Sequence, residues 1–273
     1  NTNYDAPLVP SFNIKYQYDE KLSLRASYVR GFRAPSLKEL YLYFVDINHN
    51  IQPGPDLDAE YSHNFNLFGD YEFDIDKHYF GVETGLFYNS IENRIDLAIT
   101  DTINNVYSYL NIDGYKTRGG NLKFNYRLHP RFTLIIGGSV TNHYVFKELD
   151  SGDLEDQANS YDFMLNAEYN LFRKNFSWGI YYKYTGRYPQ FEVFDEEIRF
   201  GSIDPYHMLD FTINKTFLQN HLQIGTGVKN ILDVTTVSRS GNSGGVHSGG
   251  SGSIPAGWGR TFFIRLNYTF VKR

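Results

Sequence analysis

Side chains change character at every second position over one stretch of this sequence after another, and that rhythm limits the fold more than any other feature. Phe12, Ile14, Tyr16 and Tyr18 are separated by Asn13, Lys15 and Gln17; Leu22, Leu24, Ala26 and Tyr28 are separated by Ser23, Arg25 and Ser27. Phe65, Leu67, Gly69, Tyr71 and Phe73 oppose Asn66, Asp70 and Glu72, and Phe80, Val82, Thr84, Leu86 and Tyr88 form a further stripe. Others are Leu122–Leu128, Phe132–Val140, Phe163–Leu171, Phe176–Tyr184, Leu209–Phe217, Leu222–Val228 and Phe262–Phe270. A period of two belongs to a strand with two unlike faces, whereas a helix repeats near 3.6. The reading is roughly eleven strands, with no helical stripe of comparable length.

The connections alternate too. Short turns fall at Asp19-Glu20, Asp74–Lys77, His129-Pro130, Arg173–Asn175 and Gln219-Asn220, and long polar or Gly-rich loops at 31–59, 100–105, 147–160, 187–205 and 235–257. Tight turns at one end and long loops at the other mark an antiparallel transmembrane β-barrel of the outer-membrane type. Aromatic content of 17%, led by Tyr and Phe, suits a wall with a lipid face, a water face and aromatic girdles. No run of about 18 apolar residues exists, which excludes a spanning helix but not a barrel. The competing soluble fold is a β-sandwich or lipocalin-like barrel, whose strands run shorter, at about five or six residues.

This topology carries an orientation. The last strand is expected to end at the periplasm, and counting back eleven strands puts the N-terminus outside the cell. A closed barrel in lipid leaves no unpaired edge, so an odd set of strands predicts a missing N-terminal half, in another chain or cut away. Residues 1–273 thus read as one unit, the C-terminal half of a barrel in the bacterial outer membrane. Such a protein needs a signal peptide; none stands at residue 1, so residue 1 is expected not to begin the gene product.

The absence of Cys removes disulfides, thiolate zinc sites and Cys nucleophiles, and a net charge of −5 argues against nucleic acid as a partner. No nucleophile elbow, HExxH or P-loop occurs, so the reading is not an enzyme.

Four segments make the assignment specific. Gly31-Phe32-Arg33-Ala34-Pro35-Ser36-Leu37-Lys38-Glu39-Leu40-Tyr41 resembles the "FRAP" box of TonB-dependent receptors. Gly54-Pro55-Asp56-Leu57-Asp58-Ala59-Glu60 resembles their "NPDL…E" box, with Gly54 where the family has Asn. Val228-Lys229-Asn230-Ile231-Leu232-Asp233 is similar to the "NLFD" segment before the last strand. Gly259 through Phe270 is similar to the closing strand, with Val271-Lys272-Arg273 added after the Phe. The resemblance implies a 22-strand barrel with an N-terminal plug, of which this chain holds about eleven strands and no plug. It implies active import of a scarce nutrient, energised by a TonB-type protein of the inner membrane. A surface lipoprotein is a further partner in some receptors, and outer-membrane lipid surrounds the wall. Phe32, Arg33, Ala34, Pro35, Pro55, Asp56, Leu57, Asn230 and Phe270 are then structural motif residues.

Members of the family import iron-siderophores, haem, cobalamin, or lipoprotein-delivered peptides and glycans; a passive porin or adhesin barrel is the other alternative. No intrinsic cofactor is expected; haem or another iron chelate is the favoured transported ligand. The haem group carries a His between its two boxes, and here His49 occupies that interval as a candidate axial ligand to haem iron. Its second axial ligand would come from the plug. His247 lies in the Gly-rich 244–250 loop, which is flexible enough to fold over a ligand or to stay a surface loop. Tyr41, Tyr43 and Phe44 are candidates to stack on a flat ligand. His63 and His143 are weaker candidates, His63 reading as an outward girdle residue, and Asp195-Glu196-Glu197 reads as a solvated acidic loop.

Overall fold

A computed structural model describes residues 7–46, 50–54, 56–101, 104, 106–147, 154–171, 175–194, 197–218, 221–240 and 252–270. Eleven strands make a continuous antiparallel meander: β1 (Ser11–Gln17), β2 (Leu22–Arg33), β5 (Glu60–Ile75), β6 (His78–Asp101), β7 (Val106–Leu128), β8 (Phe132–Lys147), β9 (Leu154–Leu171), β10 (Phe176–Thr185), β13 (Tyr206–Phe217), β14 (Leu222–Lys229) and β17 (Thr261–Tyr268). The remaining elements lie within the long connections: α1 (Leu37–Tyr41), β3 (Phe44–Val45), β4 (Asn50–Gln52), β11 (Tyr188–Phe194), β12 (Glu197–Ile203), β15 (Thr236–Ser240) and β16 (Gly252–Pro255). Among the described residues β1 bonds only β2, and β17 only β14.

The tight turns are built by local chemistry. Asp19 Oδ1 accepts from the N–H of Lys21 at 2.8 Å and of Leu22 at 2.7 Å, which closes the β1–β2 turn. Asp76 and Asn175 take left-handed φ values of 53° and 47° at the β5–β6 and β9–β10 reversals, a conformation their short polar side chains tolerate.

Register turns the sequence alternation into two surfaces. On one, Ile14, Ala26, Leu67, Leu86, Gly120 and Val140 stand side by side across successive strands. Below them lie Leu24, Gly69, Thr84, Leu122, Gly138 and Phe163. Aromatic rows bound this apolar field. Phe12, Tyr28, Phe65 and Tyr88 align towards the long-loop end, and Phe73, Phe80 and Tyr126 towards the tight turns. The rows are eight residues apart along β5, about 26 Å of strand and somewhat less once tilted, close to the ~25 Å apolar band of such barrels. The opposite surface is polar: Gln17, Ser23, Asp70, Glu83 and Lys123 form one of its rows.

Beyond the girdle the sheet grows upward. From Tyr88, β6 continues to Asp101, roughly 40 Å more of strand, with β7 paired to it back to Val106. The 100–105 interval expected as a loop therefore only links the ends of two long paired strands. The intervals 187–205 and 235–257 also hold strands, β11 with β12 and β15 with β16, and β12 bonds β15. Residues 154–160 of the 147–160 interval belong to β9.

Candidate functional site

The long-loop end is organised around one cation. Arg33, the last residue of β2, sends Nε and Nη2 to the Glu60 carboxylate at 2.7 and 2.6 Å, and Nη1 to both Glu39 oxygens at 2.9 Å. Arg33 and Glu60 also face each other across the β2–β5 ladder. Glu60 Oε1 accepts from the Ile95 N–H at 2.7 Å, which ties the pair to β6. Ser36 caps α1 in a reciprocal box: Ser36 Oγ accepts from the Glu39 N–H at 3.3 Å, and Glu39 Oε2 accepts from the Ser36 N–H at 2.7 Å. Burial pulls both carboxyls up, but the bonds to Ser36 and Arg33 outweigh it at Glu39, and those to Arg33 and the Ile95 N–H outweigh it at Glu60. Both carboxyls rest below their ordinary range, and Arg33 above its own.

The clamp lays α1, β4 and Leu57 against the tall β6–β7 pair. Leu40 and Leu57 are buried with Ile95 and pack on Tyr109; Ile51 is buried with Tyr107, beside Leu42 and Leu97. Ile51 pairs with Tyr107 in a parallel bridge from β4 to β7. Polar bonds extend the seam. Asn111 Oδ1 accepts from the Asp58 N–H at 2.8 Å, and Asn111 Nδ2 donates to the carbonyls of Asp58 and Asn93 at 3.1 and 2.7 Å. A Cβ on Gly54 would press into the Tyr109 carbonyl, so the departure from the family's Asn falls where a side chain has no room.

The candidate residues separate into two kinds. Phe32 packs on Tyr61 with ring centroids 5.5 Å apart, Pro35 and Leu57 are buried, Ala34 is half-buried and Asp56 is exposed. Asn230, left-handed at φ 51°, donates Nδ2 to the Val234 and Trp258 carbonyls at 2.9 and 3.0 Å, and its Oδ1 accepts from the Val234 N–H at 3.0 Å. Asp233 Oδ1 in turn accepts from the Arg260 N–H at 2.7 Å, so this segment pins the approach to β17. Phe270 stands 87% exposed, edge-on to Tyr268. Tyr41 at the end of α1, Tyr43 in the link after it and Phe44 at the start of β3 are 62%, 66% and 45% exposed. His49, His247 and Pro55 lie outside the described residues, as do Asp195 and Glu196. Phe44 opens a hairpin whose return strand β4 begins directly after His49.

His63 lies on the apolar face in the Phe65 stripe, with Nδ1 2.9 Å from the Tyr28 hydroxyl. His143 is buried with both ring nitrogens engaged, to the Tyr115 hydroxyl at 3.0 Å and Ser160 Oγ at 3.1 Å, and its ring meets Tyr188 edge-on. That bonding makes it a brace between β7, β8 and β9. The described residues hold no group of three His, Asp or Glu side chains placed to bind a metal ion. A groove of about 430 Å³ lined by Phe12, Ile14, Tyr28, Phe65, Leu67 and Leu86 lies on the apolar face and suits an acyl chain rather than a polar nutrient. On the polar face, Arg25 bonds Asp70 at 2.6 Å and Lys123 bonds Glu83 at 2.7 Å, so the two carboxylates that face each other each keep a cation.

A family model described as "TonB dependent receptor-like, beta-barrel" matches residues 1–231. This chain belongs to that family. Its wall therefore sits in the bacterial outer membrane, with the apolar face in lipid and the polar face towards the lumen. Among solved structures, the FrpB iron transporter from Neisseria meningitidis is similar over 97% of this chain and 39% of its own, at 18% identity and TM-score 0.68. The ferripyoverdine receptor of the outer membrane of Pseudomonas aeruginosa is similar over 95% of this chain and 32% of its own, at 17% identity and TM-score 0.61. The copper transporter OprC is similar over 96% and 40%, at 13% identity and TM-score 0.68. No curated protein matches. The chain spans about two fifths or less of the length of these structures. Sequence alone missed Asn111, Ile95 and Tyr109 as the bed for the boxed loop, because the residues they meet, Asp58, Leu40 and Leu57, are distant in sequence.

Proposed function

We propose that this chain is the C-terminal barrel wall of a receptor that actively imports a metal chelate across the outer membrane. An N-terminal half supplies the strands that pair with β1 and β17 and the plug that fills the lumen, and a TonB-type protein supplies the energy. The observation that carries this reading is the Arg33–Glu39–Glu60 clamp, which holds an exposed aromatic segment, Tyr41 to Phe44, at the long-loop mouth of a polar lumen. Rings there meet a chelate before it enters, and flat conjugated ligands gain about 0.5–1.5 kcal/mol per stacked ring beyond burial. The relatives' names, an iron transporter, a ferripyoverdine receptor and a copper transporter, support a metal or its chelate as cargo.

Within that class we favour haem, with His49 as an axial ligand. The test has two arms on the full-length receptor. Deleting the gene should abolish growth on the chelate as sole iron source; unchanged growth contradicts import. Titrating the purified receptor with haem should give a Soret shift that His49→Ala moves or weakens at least tenfold. An unchanged spectrum and affinity removes His49 and leaves other iron chelates as cargo.

A further inference from the structure

Formal charge on the lipid-facing surface is confined to its rims. Among the described side chains on that face, the long-loop rim carries Arg30, Lys116, Arg118 and Glu92, and the tight-turn rim carries Lys215. The register places Arg30, His63, Ser90 and Lys116 in one row directly above Tyr28, Phe65, Tyr88 and Arg118. The cations therefore stand at the outer aromatic girdle, where lipid acyl chains give way to headgroups. A cation on the lipid face costs about 2–4 kcal/mol at mid-bilayer but only about 0–1 near the interface, so these stand where they are tolerated and within reach of headgroup charge.

Protein contacts leave these cations with unspent capacity. Arg30 lies with its guanidinium carbon 5.4 Å from the Tyr61 ring centre, and its buried Nε has no hydrogen-bond partner among the described residues. Lys116 is exposed, with Nζ 5.7 Å from the Tyr144 ring centre. Arg118 is exposed and spends Nε on Asn142 Oδ1 at 3.2 Å. The one described carboxylate on this rim, Glu92, lies one row further from the apolar band, opposite Tyr61 and Gly114.

We propose that Arg30, Lys116 and Arg118 form a binding site for the phosphorylated glucosamine headgroup of the outer-leaflet glycolipid. Three strand spacings separate Arg30 from the Lys116–Arg118 pair, about 14 Å, which suits a headgroup with a phosphate at each end better than a single phosphate. The groove between Phe12, Tyr28, Leu67 and Leu86 opens just beneath the Arg30 end and would take an acyl chain of the same molecule. Guanidinium groups bind phosphate through paired N–H donors, and both cation–π contacts hold the side chains at the interface without consuming their charge. The proposal rests on the outer-membrane placement of the wall and not on the import reading, so the two stand or fall separately.

The test uses the full-length receptor that carries this chain, purified in detergent, with bound lipid read by native mass spectrometry. Diphosphorylated lipid A should remain bound to the wild type. Retention should fall at least tenfold in the triple variant Arg30→Gln/Lys116→Gln/Arg118→Gln, and stay unchanged in Lys215→Gln at the other rim. The charge-keeping variant Arg30→Lys/Lys116→Arg/Arg118→Lys should restore it. With wild-type receptor, lipid A stripped of both phosphates should bind as weakly as the diphosphorylated form binds the triple variant; this arm holds even if that variant does not fold. Equal retention by the triple variant, equal binding of the stripped lipid, or displacement of the lipid by equimolar inorganic phosphate would overturn the proposal.

Discussion

The wall and the loop assembly above it obey different rules. In the wall, the strands of the meander from β2 to β14 are each held by two neighbours, and their side chains are sorted by medium: lipid on one face, water on the other. In the assembly of Arg33, α1, β4, Leu57 and Glu60 on β6 and β7, no second solvent does the sorting. A small buried cluster and a three-residue ionic clamp do it instead. The wall should therefore be sensitive to the polarity of a residue and indifferent to its partner, and the loop assembly the reverse.

The largest expected effect lies in the wall. Leu122→Arg puts a charge into the apolar row between Thr84 and Gly138 and should cost about 2–4 kcal/mol in equilibrium unfolding. Asn121→Arg, one residue away on the lumen face, should cost less than about 1 kcal/mol. Equal costs at the two sites would erase the distinction between faces.

Next is the clamp. Glu60→Ala removes two bonds from Arg33 and orphans the Ile95 N–H, and should loosen the segment by roughly 1–3 kcal/mol. Hydrogen exchange should rise in residues 34–59 while protection of β8 and β9 is unchanged. Asn230→Ala should cost about 1–2 kcal/mol, since it loses three bonds and places a Cβ residue without a polar side chain at positive φ; faster exchange near residues 231–235 and 258–260 is the readout.

Acid should open the clamp and spare the wall. Both clamp carboxyls titrate lower when folded than when unfolded. Their contribution is complete above the unfolded carboxylate value of about 4.3 and disappears as pH falls through the lower folded value. Exchange of residues 34–59, corrected for intrinsic rate, should accelerate in that acid window, and a pH-independent corrected rate would contradict the clamp. The smallest effect is expected from Tyr43→Ala, within about 0.5 kcal/mol of wild-type stability because the ring is exposed, yet measurable as weaker chelate binding.

The same contrast explains what sequence reveals. Wall strands are legible because each must alternate, and the stripes from Phe12 to Phe270 match the eleven strands. The upper halves of β6 and β7 were not: Ile95 and Leu97 alternate with Arg94 and Asp96, but the stripe is short and the residues it packs on, Leu40, Leu57 and Ile51, are distant in sequence. The boxed residues were visible as a resemblance, but the geometry that joins Arg33 to Glu60 and Ile95 depends on pairing between residues far apart in the chain. The ladders β11–β12 and β15–β16 have strands of only four to seven residues, too short for their rhythm to stand out within intervals that read as loops.

The most direct test of the wall is a nitroxide scan of residues 65–73 on β5, in the full-length receptor reconstituted into lipid. Odd positions should be reached by dissolved oxygen and even positions by a water-soluble nickel complex, in strict alternation through Phe65, Asn66, Leu67 and onward. A smooth profile without a period of two, or one with the faces exchanged, would contradict the membrane-wall assignment.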